Sequence, residues 1–379
     1  MTEAPREPLP SPPTHAPRTM STTPPAPAAP AQTIAETIRP AREHRYDIDL
    51  IRLVCSVGVI VSHAGAAFMD AVGRKASGGA PTYWVGLTAD SLGRFAVPTF
   101  FAIAGWAVLV GAPPKDAARL RQRMVRLLVP LAVWTAVYLV WGRWRGTNDG
   151  PIGDLALDSL FASVRPAYHL WYLYAYVPLI ILLALVPMVR AGKRPWGIAA
   201  VLLVVAAAPT LAGDLSRVTA WDVPRFGWSF GAYQAVYAVL GALLLAAPAG
   251  AFGRRRPLWL LIAVMSLVAV IAYQHEVHYV IPNASVAIAV LTGSFVLLLH
   301  RVRIPDRFRP AVTRFVDATY GVYMVHILFE DVVTDHLLPA DVGWPGAVAL
   351  FLAVSAAITV LSFATVLLWR RIGLERLLG

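Results

Sequence analysis

Asp49, Arg52, Ser56 and His63 interrupt an apolar run, DIDLIRLVCSVGVIVSHAGAAF. At 100° per residue they fall on one face of a helix. Arg52 and His63 are 11 residues apart, about 16 Å along a helix axis. An imidazole in such a stripe can take up a proton near physiological pH, which is general-base chemistry. The plainer alternative is a packing histidine with one hydrogen bond. Arg52 either serves the same site or snorkels to the membrane surface.

Further along, Asp90 and Arg94 stand at i, i+4 before the apolar string AVPTFFAIAGW. A pair at that spacing can neutralise itself or offer charge to a substrate. RLRQRMVRLLVP carries Arg119, Arg123 and Arg126 on one helical face. Guanidinium groups clustered in this way grip phosphate bidentately, or anchor a helix on anionic lipid. HLWYL holds His169 and Trp171, and FVDATYGVYMVHILFEDVV holds Tyr323 and His326. An aromatic belt at the membrane interface explains Trp171 but leaves His169 unexplained. His275, Glu276 and His278 are too few ligands for a metal site. The chain has no glycine-rich phosphate loop or H-E-x-x-H string.

The elements that must hold these residues are apolar and long. Ten stretches recur, at about 48–69, 86–110, 125–142, 168–189, 196–212, 231–248, 257–273, 283–300, 317–338 and 345–369. About 20 apolar residues cross a bilayer core, and backbone polar groups in lipid require helix. The expected fold is therefore all-α, a polytopic membrane protein of about ten transmembrane helices over residues 47–379. Residues 1–46, with 11 of the 30 prolines, read as a disordered tail.

Composition agrees with that reading. The 379 residues are 57% hydrophobic and only 15% charged, with mean hydropathy +0.60. A water-facing surface needs more charge, which argues against an ordinary soluble enzyme. With ten spans, 24 Lys and Arg fall on the side of the termini and 7 on the other. The positive-inside rule then places both termini in the cytoplasm at the cell membrane. The net charge of +11 lies between apolar runs, so it indicates membrane lipids as partners rather than nucleic acid. Cys55 is the only cysteine, so no internal disulfide can form.

Taken in order, these strings resemble the acyltransferase 3 family of polytopic membrane O-acyltransferases. Arg52 with His63, AVPTFFAIAGW, Arg123 and Arg126 with Pro130, HLWYL and YGVYMVH carry the likeness, which spans residues 45 to about 370. Where the family has a serine in the second element, this chain has Ala104. The resemblance implies transfer of an acyl group, usually acetyl, from acetyl-CoA or another acyl-CoA to a hydroxyl of a glycan, a glycolipid or a related lipid-linked acceptor. It implies catalysis by His63, with Arg52 and His326 as further catalytic candidates, and donor binding by Arg119, Arg123 and Arg126. Asp90, Arg94, His169, Trp171 and Tyr323 become candidates for substrate binding. The donor is a substrate, and neither a resident cofactor nor a metal is expected. Two alternatives stand beside this reading. One is a proton-coupled transporter using His63, Asp90 and Arg94. The other is a non-catalytic partner in a glycan-assembly complex.

Overall fold

A computed structural model describes residues 44–73, 80–219, 226–337 and 342–379. The tail expected over residues 1–46 lies outside the described residues as far as position 43, and so do Arg74, Lys75 and Arg225 of the loops.

Among the described residues there are thirteen α-helices and no strand. They are α1 (Tyr46–Ala71), α2 (Pro81–Gly93), α3 (Ala96–Trp106, closed by a π turn, Ala107–Gly111), α4 (Ala117–Trp144) and α5 (Ile152–Phe161). Then come α6 (Trp171–Arg190, entered by a 3-10 turn, Ala167–Leu170), α7 (Trp196–Thr219), α8 (Ala232–Ala246), α9 (Arg256–Glu276) and α10 (Val286–Leu299). Last are α11 (Arg309–Leu337), α12 (Trp344–Arg371) and α13 (Glu375–Leu378). A helix lies at each of the ten expected stretches. Seven segments are long and apolar enough to cross a membrane. Helices α8 and α10, at 15 and 14 residues, are short for a core roughly 30 Å thick, and α11 carries too many charges for that class.

The second expected span is broken into α2 and α3 at Arg94–Phe95. Pro98 explains the break, because it has no N–H to give the Arg94 carbonyl and its ring crowds the preceding turn. Glycines let the broken span pack backbone to backbone on its neighbours. A Cβ on Gly86 would lie 2.6 Å from the Gly65 carbonyl of α1, and one on Gly241 of α8 would strike the backbone of Ala102 in α3. Small residues permit such close helix approach in membranes.

Helices α1, α4 and α11 run parallel. The Arg309 guanidinium stacks on the Tyr46 ring at 4.9 Å, and 17 residues further along each helix His63 meets His326. Tyr320 of α11 donates to the Leu127 carbonyl of α4, and Tyr138 of α4 donates to the Met324 carbonyl of α11. The starts of α1, α4 and α11, with their arginines, therefore share one end of the bundle, called here the basic end. Helix α7 buries no residue and rests on α6.

Candidate active site

Helices α1 and α11 and the turn before α6 bring three histidines together from positions 63, 326 and 169. The His63 and His326 ring centroids are 5.3 Å apart, and those of His169 and His326 are also 5.3 Å apart. Tyr168 and His169 come from the 3-10 turn that leads into α6. That turn is fixed by Tyr323, whose hydroxyl donates to the His169 carbonyl at 2.6 Å. His326 Nδ1 lies 2.8 Å from the Tyr323 carbonyl. An oxygen lone pair there requires Nδ1–H, so Nε2 of His326 keeps its own lone pair. That Nε2 is buried without a partner, and so are both ring nitrogens of His169.

His63 stands at the front of this cluster. Its Nδ1 is 3.1 Å from the Tyr168 hydroxyl, and its side chain lines a cavity of about 850 Å³ at the end of the bundle away from the basic end. In the tautomer whose Nδ1–H donates to Tyr168, Nε2 of His63 is a base toward that space; in the other, the Tyr168 hydroxyl donates and Nε2 carries the proton.

Asp90, Arg94 and Trp171 line the same cavity. Asp90 is 1% exposed and takes hydrogen bonds from Arg94 (2.6 Å), Ser62 (2.6 Å) and Gln274 (3.1 Å). Arg94 also reaches the Tyr279 hydroxyl at 3.4 Å. The i, i+4 pair therefore neutralises itself, and the carboxylate is saturated where the helix breaks. Such pairing lets charge sit within an apolar bundle. Arg94 still faces the cavity, and its bonds to Asp90 and Tyr279 use Nε and Nη2 rather than Nη1.

Arg52 and the arginines of α4 stand apart from that space. Arg52 is half-buried in α1, with no ion pair among the described residues, and its charge reaches Cys55 and Tyr172. Arg119 and Arg126 are exposed and Arg123 is half-buried. Asp116 caps their helix by accepting the Arg119 N–H at 2.8 Å, and that bond holds its carboxyl below the usual carboxylate range. Arg126 is joined to the imidazoles through one chain of contacts. Its neighbour Leu127 accepts from Tyr320, and Tyr323, one turn on, holds the His169 turn and meets the Tyr172 ring edge-on with centroids 5.8 Å apart.

Two side chains in the site escaped the sequence reading. Tyr168, directly before the HLWYL string, is the partner of His63. Glu330 lies one turn beyond His326, is 8% exposed, lines the cavity and leaves Oε2 without a partner. Its i+4 spacing from His326 was the available signal. At the mouth, Arg145 of α4 binds Asp331 at 3.3 Å and Asp335 at 2.8 Å, while Trp141 donates to Asp331 at 2.8 Å.

Comparison with curated proteins and with solved structures gave no match. A family model described as an acyltransferase domain matches residues 45–367, nearly the whole helical body and every residue of the site. The chain therefore belongs to the acyltransferase 3 family and is a multi-pass membrane acyltransferase.

Proposed function

We propose that this chain moves an acyl group, most simply acetyl, from an acyl-CoA at its basic end to a hydroxyl in the cavity, with His63 as the general base. The observation that carries the reading is the placement of His63. Nδ1 is engaged by Tyr168, Nε2 has no partner among the described residues, and the side chain lines the cavity. Nε2 takes the proton of the acceptor hydroxyl as its oxygen attacks the thioester carbonyl. The acceptor–acyl bond forms, the carbon–sulfur bond breaks and CoA leaves as thiolate, to be protonated by the imidazolium.

The donor has its phosphates on Arg119, Arg123 and Arg126 and its arm directed along Arg52, Tyr172 and Tyr323 toward the imidazoles. His326 and His169 stabilise the developing oxyanion or relay the proton. The acceptor is a glycan or a lipid-linked glycan. Trp171, Tyr168, Tyr279 and Asn283 give the cavity the stacking faces and amide that sugars use. Five carboxylates line it against two arginines, with Arg145 bound to two of the five. That balance favours a neutral hydroxyl acceptor over an anionic one. With the basic end facing the cytoplasm of the cell membrane, donor and acceptor approach from opposite sides.

The test is transfer of labelled acetyl from acetyl-CoA by the purified chain in nanodiscs, beside His63→Ala. General-base removal is expected to cost about 10²–10⁴-fold in rate. Full activity in the variant at equal protein level removes His63 from the mechanism. Proton-coupled uptake into vesicles without any transfer establishes the transporter reading instead.

A further inference from the structure

A second basic cluster lies at the basic end, away from the α4 arginines, where α1 starts, α8 and α10 finish and α9 begins. Arg45 is spent there. Its Nε and Nη2 bind the two Asp47 oxygens at 2.7 and 2.8 Å, and Nη1 donates to the Leu245 carbonyl at 2.8 Å. Asp47 is spent too, because Oδ2 also accepts the Arg301 N–H at 2.7 Å. Arg301 and Arg256 are left with no carboxylate partner among the described residues.

Three features separate this cluster from ordinary anchoring arginines at a membrane face. Arg301 has φ +54°, a left-handed conformation that a residue with a Cβ adopts only at a cost. The bond to Asp47 holds that backbone in place, and Arg301 directly follows His300. Arg256 reaches the His300 carbonyl at 3.4 Å, so both cations converge on one turn. Lastly, Nε of Arg256, Nε of Arg301 and Nε2 of His300 are all buried without a partner, and His300 is 3% exposed. Buried unpaired polar groups cost about 1–3 kcal/mol each, so three around one turn form a set that a phosphate oxygen would satisfy.

We propose that Arg256, Arg301 and His300 form a phosphate-binding notch that is distinct from Arg119, Arg123 and Arg126. Guanidinium pairs suit a phosphate ester, and the imidazole nitrogen can hydrogen-bond a third phosphate oxygen. The phosphate comes either from the headgroup of an anionic phospholipid or from the nucleotide end of coenzyme A. The notch does not depend on the acyl-transfer chemistry assigned to His63.

The experiment uses the full chain with three variants. Arg256→Gln/Arg301→Gln removes both charges. Arg301→Gly removes one charge but suits the left-handed backbone, so it keeps or raises thermal stability. Arg303→Gln, at an exposed position two residues on, controls for bulk charge. In the lipid arm, native mass spectrometry follows phosphatidylglycerol retained from mixed phosphatidylglycerol–phosphatidylcholine nanodiscs. In the donor arm, titration in a maltoside detergent measures coenzyme A affinity. The notch variants are expected to lose about tenfold in one of the two arms, which identifies the source, while Arg303→Gln loses neither. Unchanged binding in both arms overturns the proposal, and so does an equal loss from Arg303→Gln.

Discussion

The Tyr168 hydroxyl sits 3.1 Å from Nδ1 of His63, so a residue of the turn before α6 fixes the ring of a residue in the middle of α1. In the proposed mechanism Tyr168 touches the base rather than the reacting atoms, which makes it a positioning residue. Tyr168→Phe is expected to lower kcat about tenfold and leave KM for the donor unchanged. The pH–rate profile should shift with it, since the hydroxyl helps set the imidazole tautomer. An unaltered kcat and profile would mean that the contact is packing only.

Arg94 and Asp90 hold each other where charge is hard to solvate. Asp90→Ala leaves the guanidinium without its carboxylate, and loss of one partner of a buried pair costs about 3–5 kcal/mol. Asp90→Ala/Arg94→Ala should be less damaging than Asp90→Ala alone. Apparent Tm in detergent reads both, and additive losses would show that the pair is not coupled.

The α4 arginines should govern donor affinity. Arg123→Ala/Arg126→Ala is expected to raise KM for acetyl-CoA tenfold or more with little change in kcat, because both residues lie far from the imidazoles. Steady-state kinetics in nanodiscs check this. An unchanged KM assigns the arginines to lipid anchoring.

The α3–α8 seam should tolerate no added methyl. A Cβ at Gly241 meets Ala102 backbone, which cannot swing aside as a flexible side chain does. Gly241→Ala is expected to cost about 1–3 kcal/mol, the usual range for overpacking. Thermal unfolding reads the loss, and an unchanged Tm would show that the seam can open.

Much of this was legible in the sequence because it follows from the solvent. Lipid forces helix on every apolar stretch, and the helices fall where the hydropathy places them. The ion pair was legible because its spacing is local. Of the polar stripe of α1, Ser56 is buried and His63 lines the cavity, while Arg52 stands apart from it. The meeting of His63, His169 and His326 was not legible from spacing, since it depends on which helices run parallel and in step. Helix starts were missed for another reason. Helices α4 and α11 begin eight residues before the apolar stretches did, at Ala117 and Arg309, because their first turns are helical but charged. Pro98 marked the break in the second span, yet its meaning depends on the Arg94 carbonyl one turn earlier. Helix α5, at ten residues, is too short to register as a membrane-crossing stretch, and it buries nothing.

The glycine seams also say where this enzyme is free to change. Helices locked backbone to backbone leave no room for new side chains, so the frame that carries the pair and the imidazole resists drift. Thr147, Arg165 and Pro166 in the α4–α6 connection, and Val280 and Asn283 in the α9–α10 connection, are wall residues outside that frame. If the cavity holds the acceptor as proposed, grafting these loops is the direct route to redirecting the enzyme.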